Sequence, residues 1–204
     1  MGRQGVRRIA LTGGIATGKS YVRGCFERLG VATIDSDVLA RAAVAPGTEG
    51  LQAVIRRFGR EVLDTHGTLD RSRLARVVFG DPVARRDLET IVHPEVRRAT
   101  DRWFVSLDAT RDRLAVADIP LLYEVDRARD FAAVVVAACD SWTQLDRVMK
   151  RDDLPEAEAR QRMAAQLPID EKTRRADYVV RTDGTFDETD RQVADVFERL
   201  SMAR

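Results

Sequence analysis

Eight residues near the amino terminus have the types and spacing that bind the phosphate groups of a nucleotide. Gly13-Gly14-Ile15-Ala16-Thr17-Gly18-Lys19-Ser20 matches the pattern G-x-x-x-x-G-K-[ST]. The glycines let the backbone wrap closely around a phosphate chain, so that successive N–H groups point inward. Lys19 brings a positive charge to the β- and γ-phosphates, and the Ser20 hydroxyl is a ligand for Mg²⁺. The segment therefore predicts a nucleoside-triphosphate site.

Two carboxylates after the next apolar segment supply a candidate general base. Asp35 and Asp37 follow residues 31–34, which read as a buried strand. In an open α/β fold, ligands bind at the carboxyl ends of the strands, where these side chains would lie. Asp37 is well placed to accept the proton of an attacking hydroxyl. Asp35 is the weaker candidate, and a helix N-cap is the alternative role for this segment.

The elements that position these residues are predicted from the spacing of apolar side chains. Residues 8–12 form a short apolar strand, and residues 20–29 place apolar side chains at helical intervals. With the strand at 31–34 they make a βαβ unit, whose strands are parallel. Further strands are predicted at 114–117, 132–137 and 178–180. We expect an α/β fold of three layers around a central, mostly parallel five-stranded sheet.

The segments between the strands are predicted to be helical. Residues 36–106 have no strand pattern and contain one turn-rich break at Asp64-Thr65-His66-Gly67, whereas residues 141–175 are highly charged and could form a closing lid. A terminal amphipathic helix is predicted at 191–200. The predicted divisions are a helical insertion (36–107), a lid (141–175) and a nucleotide-binding core (1–35, 108–140 and 176–204).

Composition narrows the class of protein. The chain has 204 residues and a net charge of +1, and only three of its 34 basic residues are lysine. Because a basic excess is absent, we expect no nucleic-acid partner. No apolar run is long enough to span a membrane, and the basic amino terminus lacks the apolar core of a signal peptide. The two cysteines are far apart, as in a cytoplasmic protein with reduced thiols.

The absence of asparagine excludes one class of nucleotide-binding protein. A GTPase normally reads guanine with an N-K-x-D motif, which this chain cannot contain. A large ATPase motor would need a longer chain, whereas the observed length suits a small-molecule kinase. The alternatives that remain are another small-molecule P-loop kinase, such as a nucleoside or shikimate kinase, and a regulator that binds ATP without transferring its phosphate.

An ordered set of motifs resembles the dephospho-CoA kinase family over nearly the whole chain. The segments that carry the resemblance are Leu11-Thr12-Gly13-Gly14-Ile15 with Gly18-Lys19-Ser20, Asp35-Ser36-Asp37 with Ala40-Arg41, Leu69-Asp70-Arg71, Ile91-Val92-His93-Pro94, Asp118-Ile119-Pro120-Leu121-Leu122-Tyr123-Glu124, Gln144 with Arg147, Arg151, Arg162 and Gln166, and Ala176-Asp177-Tyr178-Val179-Val180. The resemblance implies a P-loop kinase with an adenylate-kinase-like core, a helical CoA domain and a lid. It also implies transfer of phosphate from ATP, with Mg²⁺, to the ribose 3′-hydroxyl of dephospho-CoA. We expect a cytoplasmic monomer or weak homo-oligomer.

The resemblance assigns roles to particular side chains. Asp37 is the expected base, Arg147 the expected cation on the transferred phosphoryl group, and Arg151 a second ATP-binding cation. The acceptor site is expected at Pro120-Leu121-Leu122, with Arg41 and His93 as further substrate-binding residues. His93-Pro94 has the alternative role of a structural element that joins two helices.

Three positions depart from the family pattern. Ala16 stands where glycine is usual, which is tolerable if its φ is negative. Tyr21 replaces a frequent threonine, so a hydroxyl near the phosphates is lost. Thr182 replaces an asparagine in the predicted adenine-contacting loop, Thr182-Asp183-Gly184, so the base contact would depend on backbone groups. The sequence leaves open whether Asp118 assists Mg²⁺ through water.

Overall fold

Five parallel strands form one sheet in the part of the chain that the structure describes, residues 5–107 and 114–202. In this computed structural model the sheet order is β2-β3-β1-β4-β5. The strands are β1 (Arg7–Gly13), β2 (Ala32–Asp35), β3 (Leu114–Asp118), β4 (Ala133–Ala138) and β5 (Tyr178–Arg181). Every residue of β3 and β4 is buried, which explains why their sequences are apolar except for Asp118 at the end of β3. The predicted α/β fold and its strands are confirmed.

Helices connect the strands, and several begin at a side chain that accepts a hydrogen bond from a free backbone N–H. Thr48, Asp70 and Asp140 cap three of them in this way. The described helices are α1 (Lys19–Arg28), α2 (Ser36–Ala43), α3 (Glu49–Phe58), α4 (Arg71–Phe79), α5 (Pro82–Leu107), α6 (Ser141–Asp152), α7 (Glu156–Ala164), α8 (Ile169–Arg174) and α9 (Phe186–Met202).

The chain divides into two compact units, each with its own apolar core. One unit is Ser36–Trp103; the other contains the sheet and the described residues before Ser36 and from Phe104 onward. Val54 and Val62 are fully buried in the core of the first unit. Phe26 and Val135 are fully buried in the core of the second unit. This second unit also includes α6, α7 and α8, which form the predicted lid. The predicted start of a core segment at residue 108 lies outside the described residues.

Two predictions about helices are wrong in detail. His93-Pro94 does not join two helices, because α5 continues through Pro94. Proline removes one hydrogen bond to the carbonyl four residues earlier, but Thr90 and Pro94 are both exposed, so water can satisfy that carbonyl. The last helix begins at Phe186 instead of Arg191, because Thr185 and Glu188 form a capping box at its start.

None of the described helices combines the length and the apolar character needed to cross a membrane.

Phe26 tests how far the sheet unit depends on the packing of α1. Its side chain is fully buried, whereas Leu29 on the same helix end is 41% exposed. We expect Phe26→Ala to lower the free energy of unfolding by about 3–5 kcal/mol, because it leaves a cavity in the core. Leu29→Ala is the control and should change it by about 0.5 kcal/mol at most. Urea unfolding followed by circular dichroism measures both, and equal losses would contradict the packing described.

Candidate active site

The phosphate-binding loop, residues 13–18, joins β1 to α1 in a conformation that ordinary residues rarely adopt. Ala16 has φ of +56° and Gly18 has φ of +79°. The condition stated for a tolerable alanine at this position, a negative φ, is therefore not met. A Cβ added to Gly13 would lie 2.6 Å from the backbone oxygen of Ala137, so only glycine fits between the loop and β4. Such a winding is the type that directs backbone N–H groups toward an anion.

The carboxyl end of the loop is held by two threonines, Thr17 within the loop and Thr182 outside it. The Thr17 hydroxyl donates to the Gly14 carbonyl at 2.9 Å, and the Thr182 hydroxyl donates to the Thr17 carbonyl at 2.8 Å. Arg147 contacts the same threonine, with Nη2 2.6 Å from the Thr182 carbonyl and Nη1 3.1 Å from its hydroxyl. Arg147 therefore contacts Thr182, the residue whose hydroxyl bonds to the loop. Its expected position on the transferred phosphoryl group stays a prediction.

The middle of the loop is held by two glutamines from the predicted lid. Gln144 Nε2 on α6 donates to the Ile15 carbonyl at 2.8 Å, and the Ile15 N–H donates to Gln166 Oε1 at 2.7 Å. The Ile15 side chain also packs on the small apolar cluster that α6 and α7 share, which includes Val148. Both backbone groups of one loop residue are therefore satisfied by the lid segment.

A buried lysine holds the start of the loop. Lys172 on α8 is fully buried, and its Nζ lies 3.3 Å from the Gly13 carbonyl and 3.0 Å from the Pro120 carbonyl. Its ammonium also pairs with Glu124 Oε1 at 2.8 Å. We call residues 120–124 the acceptor loop. Its predicted site residues Pro120 and Leu121 are partly buried, and Leu122 is fully buried.

Four charged side chains meet where β2 and β3 end. Asp35 and Asp118 are opposite each other in the register of these two strands. The Lys19 ammonium bonds to Asp118, and Arg23 bonds to Asp35 and lies 3.5 Å from Asp118. Burial raises the pKa of Asp118 above its usual range, and the opposite charge of Lys19 opposes that rise. Two cations thus balance two carboxylates beside the phosphate-binding loop.

Ser20 and Asp37 both lie in first turns of helices. Ser20 is exposed in the first turn of α1. Asp37 is exposed in the first turn of α2, two residues after β2 ends, and belongs to the Ser36–Trp103 unit. Arg41 on α2 and His93 on α5 are exposed in the same unit. Their substrate-binding roles stay predictions.

Three other predicted ATP-binding residues have defined surroundings. The Tyr21 hydroxyl donates to Asp190 on α9 at 2.9 Å, so its contact lies with α9 and the expected ATP contact of this side chain stays a prediction. Arg151 pairs with Asp152 at 2.7 Å at the end of α6. Gly184 is exposed in the loop after β5. Beside Tyr21, burial and the neighbouring Asp190 raise the pKa of Cys25 to about 11, which disfavours the thiolate form.

The sequence reading missed Lys172 altogether and gave Gln144 and Gln166 no role. A signal for Lys172 existed, because the chain uses arginine for nearly every cation and has only three lysines. Arg23 was missed as well, although it lies one helical turn after Lys19 and therefore on the same face.

Comparisons with known proteins agree with the geometry. The family described as dephospho-CoA kinase matches residues 7–188. A dephospho-CoA kinase of Anaeromyxobacter dehalogenans is 48% identical over 94% of this chain and 92% of its own length. One from Syntrophotalea carbinolica is 44% identical over 94% of this chain and 91% of its own. The crystal structure of TT1252 from Thermus thermophilus has a TM-score of 0.81 at 32% identity, and the match covers 97% of this chain and 99% of that one.

The positive φ of Ala16 predicts a stabilising substitution. A non-glycine residue in this region costs about 1–2 kcal/mol, and the greater freedom of glycine in the unfolded chain offsets part of the relief. We expect Ala16→Gly to raise the free energy of unfolding by about 0.5–1 kcal/mol. Ala194→Gly within α9 is the control and should lower it by about 1 kcal/mol. Urea unfolding measures both, and a destabilised Ala16→Gly would refute the strained conformation.

Proposed function

We propose specific catalytic roles for the side chains of this chain, which belongs to the dephospho-CoA kinase family. Members of the family transfer phosphate from ATP to dephospho-CoA, giving coenzyme A and ADP. The observation that carries this activity is the family match over residues 7–188, together with relatives that are 44–48% identical.

Lys19 is proposed to neutralise the β- and γ-phosphates of ATP. Its ammonium bonds to Asp118 in this structure. Asp118 ends β3, which pairs with β1, the strand that leads into the phosphate-binding loop. When phosphates bind, the ammonium exchanges one anionic partner for another, so no unpaired cation has to be stored in a low-dielectric site. Arg23 remains beside Asp118. Its positive charge limits the repulsion between the Asp118 carboxylate and the bound phosphates after the Lys19 ammonium has moved away.

Ser20 and Asp118 are the residues proposed to hold Mg²⁺. A hydroxyl and a carboxylate are oxygen donors, which Mg²⁺ prefers, and both lie next to the loop, so the donor chemistry fits this ion. Asp118 would act through a metal-bound water. When bound, the ion neutralises charge that develops on the β- and γ-phosphate oxygens.

Asp37 is proposed to accept the proton from the ribose 3′-hydroxyl. As the hydroxyl oxygen bonds to the γ-phosphorus, its proton passes to the Asp37 carboxylate. The bond from the γ-phosphorus to the bridging oxygen breaks, and ADP leaves with that oxygen. The Asp35 carboxylate pairs with Arg23, so a proton accepted there would have to disrupt that ion pair.

The remaining roles follow the positions of the side chains. Thr182 and Gly184 lie in the loop after β5, which we propose contacts the adenine. Thr182 bonds this loop to the phosphate-binding loop, and Arg147 bonds to Thr182. Arg151 is proposed as a second cation for ATP. Arg41, His93 and residues 120–122 are proposed to contact dephospho-CoA. A cytoplasmic location, a monomeric or weakly oligomeric state and the absence of a nucleic-acid partner stay predictions.

The phosphate role of Lys19 is tested by substitution. We expect Lys19→Ala to lower kcat with dephospho-CoA by about 100- to 1,000-fold, because charge stabilisation at the phosphates is lost. Lys150→Ala is the matched control, since Lys150 is exposed on α6 and pairs with Asp146 one helical turn earlier. A coupled assay of ADP release measures both variants. Reactions with adenosine, with shikimate and without any acceptor are run beside the reaction with dephospho-CoA. ADP release that is no faster with dephospho-CoA than without any acceptor would refute the assigned acceptor.

The choice between the two aspartates is tested by a matched pair of variants. We expect Asp37→Asn to lower kcat by about 100- to 10,000-fold while the Kd for ATP stays unchanged, because the base is separate from the phosphate site. Asp35→Asn should lower kcat far less. Steady-state kinetics and calorimetry of ATP binding make the comparison. If Asp37→Asn turns over at the rate of the unsubstituted enzyme, Asp37 is not the base.

A further inference from the structure

Lys172 is a fully buried cation that the catalytic roles above do not use. Its ammonium has three hydrogens, and three oxygen atoms surround it: the carbonyls of Gly13 at 3.3 Å and Pro120 at 3.0 Å, and the carboxylate of Glu124 at 2.8 Å. Removing an ammonium from water costs several kcal/mol unless each donor finds a partner. Here all three donors have one, so the site is built to hold this charge.

The three acceptors belong to the two loops that the reaction must bring together. Gly13 begins the phosphate-binding loop, whereas Pro120 and Glu124 lie at the two ends of the acceptor loop. Because one nitrogen bonds to both the Gly13 and Pro120 carbonyls, the two loops cannot move apart without breaking a buried hydrogen bond. The Thr12 hydroxyl adds a second link, since it also donates to the Pro120 carbonyl, at 3.1 Å.

The Lys172 ammonium lies in the predicted lid, and Glu124 links it to a second position there. Glu124 Oε1, which pairs with Lys172, also accepts a hydrogen bond from the Leu167 N–H at 2.9 Å. Leu167 follows Gln166, whose side chain accepts the Ile15 N–H of the phosphate-binding loop. One buried group of α8 therefore fixes the start of the phosphate-binding loop, the acceptor loop and the segment between α7 and α8 relative to one another.

The residue type fits this arrangement. Three convergent oxygens match the three donors of a compact ammonium, whereas the planar guanidinium of arginine directs five donors over a wider fan. In a chain that otherwise uses arginine almost throughout, a lysine stands at this enclosed position.

We propose that Lys172 is a positioning residue for phosphoryl transfer, which holds the acceptor loop at a fixed distance from the phosphate-binding loop. The proposal rests on the proposed function, in which residues 120–122 contact dephospho-CoA. Transfer is sensitive to such alignment, because a displacement of about 1 Å can cost about 100-fold in rate. ATP binding depends on the winding of the loop, which Gln144, Gln166 and Thr182 also hold, so it should be much less sensitive to the loss of Lys172.

The test is Lys172→Met, which keeps the length of the side chain and removes the charge and the donors. We expect kcat for dephospho-CoA phosphorylation to fall about 100-fold, with the Kd for ATP and the slow ATP hydrolysis without acceptor changed by about threefold at most. The ratio of transfer to hydrolysis therefore falls, which a general loss of folded enzyme would not cause. Lys150→Met, at an exposed position on α6, is the matched control. It should keep kcat, the Kd for ATP and the rate of ATP hydrolysis unchanged.

A double variant keeps the test decisive if Lys172→Met does not fold. Lys172→Met with Glu124→Gln leaves no unpaired carboxylate and keeps an acceptor for the Leu167 N–H, so it should fold and show the same fall in kcat. A folded variant whose kcat stays within about threefold of the unsubstituted value would overturn the proposal. So would a parallel loss of ATP binding, hydrolysis and transfer. An unsubstituted chain without dephospho-CoA-dependent ADP release would overturn the proposed function as well.

Discussion

The structure depends on one constraint: a backbone loop that turns its N–H groups toward phosphate must satisfy its carbonyl groups somewhere else. In this chain the partners are side chains from other parts of the sheet unit. Lys172 bonds to the Gly13 carbonyl, Gln144 to the Ile15 carbonyl and Thr182 to the Thr17 carbonyl. These side chains come from α8, α6 and the loop after β5. The elements that follow β4 therefore support the loop that follows β1.

The charged groups of the site are likewise satisfied by partners within the protein. Net charge is close to zero, and the cluster of Lys19, Arg23, Asp35 and Asp118 is itself balanced. An anionic substrate does not need a basic surface when backbone N–H groups, a helix end and a few placed cations receive it. Balanced charges at the end of β2 and β3 also limit the cost of burying Asp118 before the substrate arrives.

The sequence predicted features that depend on local patterns. The apolar runs that became β1, β3 and β4, the helix after the phosphate-binding loop and the motif itself all depend on neighbours along the chain, so periodicity and spacing were sufficient. Features that depend on tertiary contacts were not predicted. Ala16 keeps a positive φ because Gln144, Gln166 and Thr182 hold the residues around it, and no local rule indicates this. The role of Lys172 depends on oxygens from two distant loops, and the sequence offered only its rarity as a signal.

The bonds from Lys172, Gln144 and Thr182 indicate that the phosphate-binding loop is held in its binding shape from outside before any nucleotide binds. A crystal structure of the protein with ADP, Mg²⁺ and dephospho-CoA tests this claim most directly. We expect the bonds from Lys172, Gln144 and Thr182 to the loop carbonyls to remain in place, with the Lys19 ammonium moved from Asp118 to the phosphates. A loop that has changed its winding, with those three bonds broken, would contradict the account.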